Sequence, residues 1–177
     1  VKLENQYEVT RQLVSTTTTT TDYDTSGNVT QITAQTVGNA ETFTKATVNQ
    51  YDLANLRLGR LTRATVTNTT PDGIATRTSG FSYYPNGLLQ QEIIEPDEAD
   101  TSPLKQVTDY AYDIFGNKTK VSVTALAGDA PTSGLQTRST ETQYDSHGLF
   151  PVRTVNALGH AETYQFDTRF GTRTRLI

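Results

Sequence analysis

Along most of this chain, apolar and polar residues alternate in short stretches and never settle into a helical period. Lys120-Val121-Ser122-Val123-Thr124-Ala125 and Thr62-Arg63-Ala64-Thr65-Val66-Thr67 alternate with a period of two, the pattern of a strand with one wet face. Threonine makes up roughly a fifth of the residues, and its branched Cβ suits a pleated, half-exposed surface. The low-complexity run Ser15 to Thr21 would suit a stalk. It lies, however, where a strand should lead into Tyr23-Asp24, so a strand is expected. The best helical candidate, Asp52 to Leu61, contains Gly59, and an enlarged loop is expected there instead.

The strands are punctuated by a recurring signature. Tyr23-Asp24-Thr25-Ser26-Gly27-Asn28 is repeated as Tyr112-Asp113-Ile114-Phe115-Gly116-Asn117, then as Tyr144-Asp145-Ser146-His147-Gly148 and Phe166-Asp167-Thr168-Arg169-Phe170-Gly171. Tyr84-Pro85-Asn86-Gly87 reads as a shortened copy, and Tyr51-Asp52 opens one whose glycine is displaced to Gly59. The six aromatic positions are 28, 33, 28, 32 and 22 residues apart. A repeat at this spacing implies one supersecondary unit used many times. Asp at the start of a tight turn accepts a hydrogen bond from the amide two residues on, and Gly at its end adopts a positive φ that a Cβ would penalise. D-x-x-G between β-prone segments therefore predicts a hairpin turn followed by a bulge. The preceding Tyr closes the incoming strand, and tyrosines of neighbouring hairpins are expected to pack as an aromatic ladder. The fold class is thus all-β, built of consecutive antiparallel hairpins. Residues 1–177 read as a single repeat region of about six units between Tyr23 and Gly171.

Composition narrows what such a region can do. The chain has no cysteine, which removes disulfides, thiolate metal sites and a Cys nucleophile. Its net charge of −4 and scattered Lys and Arg argue against nucleic acid, and no apolar run is long enough for a membrane-spanning helix. The chain starts at Val1, contains no Met and stops on a strand-like segment, so it reads as an excised piece of a larger protein. His147 and His160 lack partners at metal-ligand spacing and read as exposed turn residues. Asp24, Asp52, Asp113, Asp145 and Asp167 recur in one equivalent setting, as turn caps would, whereas a catalytic pair needs two different environments. The acidic loop Glu95 to Asp100 offers oxygen ligands for calcium but not the D-x-D-x-D-G spacing, so a solvated loop is expected. No catalytic residue, cofactor or metal is assigned. Tyr and Phe aligned on one face could stack on sugar rings, or simply on each other.

Y-D-x-x-G-N followed by a Thr-rich strand, as at 112–119, resembles the YD-repeat or RHS-repeat family, and 144–171 resembles the repeat region of bacterial toxin-complex B/C components. The resemblance implies a curved, continuous sheet forming a segment of an RHS-type β-shell, with a C-terminal effector enclosed in the parent. It implies a secreted or cell-surface bacterial setting, with the parent polypeptide and its shell as partners. It also raises an alternative role in adhesion, with a glycan or host receptor as partner. Cutting such a sheet leaves unpaired edge strands, so edge-to-edge self-association of the fragment is expected.

Overall fold

The computed structural model describes residues 1–7, 13–52, 59–126 and 135–176. Among these residues thirteen strands follow one another in chain order, every described pairing is antiparallel, and there is no helix. The Asp52–Leu61 segment and the Ala127–Gly134 connection fall largely or wholly outside the described residues.

The chain divides into two compact units, Val1–Gly80 and Phe81–Ile177. The first holds β1 (Lys2–Tyr7), β2 (Leu13–Tyr23), β3 (Val29–Gly38), β4 (Glu41–Tyr51), β5 (Leu61–Thr70) and most of β6 (Gly73–Tyr83). The threonine run lies within β2, where side chains alternate between two faces and β-branching is favoured. Two of the turns in this unit are two residues long. Gly38 pairs with Glu41 across Asn39 and Ala40, both at positive φ (51° and 63°), the twist that a tight hairpin requires. Thr70 pairs with Gly73 across Pro71-Asp72.

The second unit holds β7 (Leu89–Ile94), β8 (Gln106–Tyr112), β9 (Lys118–Leu126), β10 (Leu135–Tyr144), β11 (Pro151–Val155), β12 (Ala161–Asp167) and β13 (Thr172–Leu176). The acidic connection between β7 and β8 is closed by a cation of the chain itself. Lys105 Nζ donates to the Glu98 carbonyl (2.9 Å) and pairs with Asp100 (2.9 Å).

Neither unit has an apolar core: among the described residues no hydrophobic side chain is buried, and the most enclosed are Thr78 and Thr108. The sheets are held by their ladders and by hydroxyl pairs across strands. Thr17 meets Thr36 at 2.8 Å, Thr67 meets Thr76 at 3.2 Å, and Thr124 meets Thr137 at 2.8 Å. The exposed surface is 12130 Å², whereas a compact chain of 19.4 kDa exposes about 8,500 Å².

Candidate functional site: the aspartate–glycine turns

A meander places alternate turns on opposite edges of its sheet. In the first unit the turns after Tyr23 and Tyr51 share one edge, and the two-residue turns lie on the other. In the second unit the turns at Tyr84, Asp113, Asp145 and Asp167 share one edge. Each repeat is therefore two strands long, which accounts for spacings near 30 residues at about ten residues per strand plus connections.

The best-formed turns are at Asp24 and Asp113. The Asp24 amide donates to Asn28 O (2.9 Å) and the Gly27 amide to Asp24 O (3.1 Å). Asp24 Oδ1 accepts from the amides of Ser26 (2.8 Å) and Asn28 (2.9 Å), while the Asn28 side-chain amide donates to Oδ2 (2.9 Å). Asp113 repeats this with Phe115, Gly116 and Asn117. The carboxylate thus collects donors that a hairpin tip would otherwise leave to water. The Asn side-chain amide, then the tip's backbone amides, hold the Asp24 carboxyl below its ordinary pKa. At Asp113 burial pushes up, but Asn117 and the backbone amides outweigh it and the net shift is downward. Gly27 (φ 84°) and Gly116 (φ 87°) occupy the left-handed region that closes the loop.

The other turns vary this scheme. Asp145 spans one residue more, its amide donating to Phe150 O (2.9 Å) and its Oδ1 accepting from Leu149 (2.7 Å) and Phe150 (3.1 Å). The Phe150 amide is the main cause of its lowered pKa, with burial opposing. Asp167 is held by Arg169, whose guanidinium donates through Nε (3.1 Å) and Nη2 (2.9 Å) and is the main cause of the depressed Asp167 pKa. The copy at Asp52 keeps the closing end of the turn. The Asp52 amide donates to Arg60 O (2.8 Å), next to Gly59 at φ 77°.

The copy at Tyr84 is full length and shifted by one residue from its sequence reading. Tyr83 ends β6 as Tyr23 ends β2, and Tyr84 stands where the others have Asp. Tyr84 donates to Leu88 O (2.9 Å) and Gly87 donates to Tyr84 O (2.8 Å), with Gly87 at φ 93°. Asn86 Oδ1, accepting from Leu88 (3.2 Å), supplies the missing carboxylate's contact.

Wherever the register is described, a bulge marks the aromatic residue. The ladder slips by one at Tyr7, Tyr23, Tyr51, Tyr112, Tyr144 and Phe166. The residue skipped on the outgoing strand is Val14, Thr30, Thr62, Thr119, Val152 or Thr174, always β-branched. The bulge at Tyr7 marks a further hairpin that the Y-D signature hides, because Glu8 follows. Asn156 marks another. Its Oδ1 accepts from Leu158 (2.9 Å) and His160 (3.0 Å), and Gly159 sits at φ 83°. It lies on the opposite edge of its unit, with Val155 before it in place of an aromatic residue.

Neighbouring turns are tied to one another, though less by stacked tyrosines than the signature predicts. Tyr51 Oη donates to Val29 O and Tyr84 Oη to Tyr110 O, each at 2.9 Å. Tyr84 meets Tyr112 edge-on at 6.2 Å, and Phe150 stacks on Phe166 at 4.9 Å. The Asn117 side-chain amide donates across the gap to Gly148 O (2.7 Å). The Phe115 ring lies on the same glycine, so close that a Cβ there would sit 2.6 Å from Phe115 Cγ.

The histidines stay apart from this network of ties. His147 is 79% exposed and 3.9 Å from the Asp145 carboxylate, and His160 is exposed beside Asn156. No group of three metal-ligating side chains occurs among the described residues.

No family model matches this chain, and no curated protein matches it. Solved structures do. The crystal structure of TcdB2-TccC3 aligns over 98% of this chain and 10% of its own length, at 16% identity and a TM-score of 0.52. The fold is that of a stretch of the TcdB2-TccC3 chain. This chain spans about a tenth of that chain's length. TcdB2-TccC3-Cdc42 also aligns over 98% of this chain and 14% of its own, at 13% identity and a TM-score of 0.34.

Proposed function

We propose that this chain is a non-catalytic wall segment of a large, secreted bacterial RHS/YD-repeat protein, contributing strands to a shell that encloses a C-terminal effector. The observation that carries this reading is the missing core. A sheet with no buried apolar side chain among its described residues exposes roughly 3,600 Å² more than a compact domain of its mass. That excess is of the size buried in obligate assemblies. Residues 1–177 serve as one repeat region, with Tyr, Asp and Gly of each unit acting as hairpin hardware. The test is to delete one two-strand repeat, Tyr84 to Tyr112, from the full polypeptide and follow the effector by limited proteolysis. A wall predicts an effector that is protected in the parent and cleaved in the deletion. Equal protection in both would overturn the reading.

One observation favours the adhesion alternative. In the second unit an open groove of about 570 Å³ is lined by Phe115, Tyr144, Lys120, Glu141 and Gln143, among others. An aromatic wall beside paired polar groups suits a sugar ring. Saturable binding on a glycan array, abolished by Phe115→Ala, would support it.

A further inference from the structure

We propose that Asn86 is a site of spontaneous backbone modification, converting in the folded chain to aspartate and isoaspartate. Asn86-Gly87 is the sole Asn-Gly pair in the sequence. The reaction needs the amide nitrogen of the next residue to reach the Asn side-chain carbon, and any side chain on that residue obstructs the approach. Asn28, Asn68, Asn117 and Asn156 are followed by Val, Thr, Lys and Ala, so each carries that obstruction. Asn28 and Asn117 are further restrained, since their side-chain amides are bound to Asp24 and Asp113.

Asn86 sits exposed at a hairpin tip, with Gly87 at φ 93°. Two contacts oppose reaction there. Gly87 N–H donates to Tyr84 O (2.8 Å), and Asn86 Oδ1 accepts from the Leu88 amide (3.2 Å). Both lie at the surface of a loop, where local opening costs far less than global unfolding. The Asp at the start of the D-x-x-G turns, which gathers tip amides elsewhere, is replaced here by Tyr84, so this turn has no capping Asp of its own.

The chemistry balances without a co-reactant other than water. The Gly87 nitrogen bonds to Asn86 Cγ, the Cγ–Nδ2 bond breaks, and ammonia leaves with the Gly87 amide proton. Water then opens the five-membered imide at either carbonyl. One product is an ordinary aspartate at position 86. The other routes the main chain through the side-chain carbon, lengthening it between residues 86 and 87. The Tyr84–Leu88 closure, at 2.9 Å in the unmodified turn, must then span one more backbone atom, so the start of β7 should shift.

The test incubates the folded chain in mildly alkaline buffer and maps peptides over time, with isoaspartate detected by enzymatic methylation. A second sample is held in urea. The expected result is a growing acidic product confined to the peptide carrying residues 86–87, absent from Asn86→Gln. Asp72-Gly73 can also isomerise, but without the mass change of an amide becoming an acid. Conversion in urea with none in the folded chain would overturn the proposal, showing that the turn protects Asn86. No conversion in either sample would overturn it as well.

Discussion

Replacing Gly148 with alanine separates two demands that the repeat places on its glycine. At φ 68° an added Cβ meets the backbone penalty of the left-handed region, about 1–2 kcal/mol. At this position it would also sit 2.6 Å from Phe115 Cγ and 3.0 Å from Asn117 Nδ2. Overpacking of that kind adds about 1–3 kcal/mol, so Gly148→Ala should cost about 2–5 kcal/mol in all. Gly159, in the same compact unit, is the control. It has φ 83° with nothing within 4 Å of the added Cβ, so Gly159→Ala should cost only the backbone penalty of about 1–2 kcal/mol. The assay is urea unfolding followed by far-ultraviolet circular dichroism, since the chain has no Trp. Adding Phe115→Ala to Gly148→Ala should recover most of the overpacking cost, a clear departure from additivity. If the two glycine variants lose equal stability, or the double variant is additive, the contact between successive turns contributes nothing and the reasoning fails.

Three further outcomes are expected. Asn117→Ala should cost about 0.5–1.5 kcal/mol more than Asn28→Ala, because among the described residues Asn117 alone of the two also donates to a neighbouring turn, at Gly148 O; equal thermal shifts would contradict this. Asp24, Asp113, Asp145 and Asp167 all have folded pKa values below their unfolded ones, so their contribution is complete above about pH 4 and lost as pH falls through that value toward the depressed pKa. Acid melts should show this slope, and Asp113→Asn with Asp145→Asn should flatten it. Finally, β1 is exposed along its whole length and carries Leu3 at 60% exposure, so the chain should associate as concentration rises and Leu3→Lys should weaken that association. Sedimentation showing a monomer throughout would count against it.

What could be read from sequence is what is local. Asp and Gly three residues apart define a tip whose hydrogen bonds span five residues, so the turns at Asp24 and Asp113 are visible without any tertiary information. The same locality explains the omissions. At Tyr84 a second Tyr takes the Asp position, and the signature aligns on the wrong aromatic residue. At Asn156 the capping chemistry is the same, but Asn replaces Asp and Val replaces Tyr. The ties between turns leave no local trace: Asn117 and Gly148 are 31 positions apart, and only the stacking of one repeat on the next brings them together. Threonine content announces strands, but not that no apolar residue is enclosed among those described.

The edge on which the turns fall has a consequence for how such a chain can change in length. Within each unit the aspartate–glycine turns return to one edge because each repeat holds an even number of strands. Adding or losing a single strand would reverse the parity of everything after it. Every later signature of that unit would then move to its far edge, which carries the two-residue Asn39-Ala40 turn in the first unit and the long loop after Ile94 in the second. Growth is therefore quantised in hairpins. Insertions that respect this count leave the aspartate–glycine rim of a unit uniform, and the opposite rim is where loops are free to diversify.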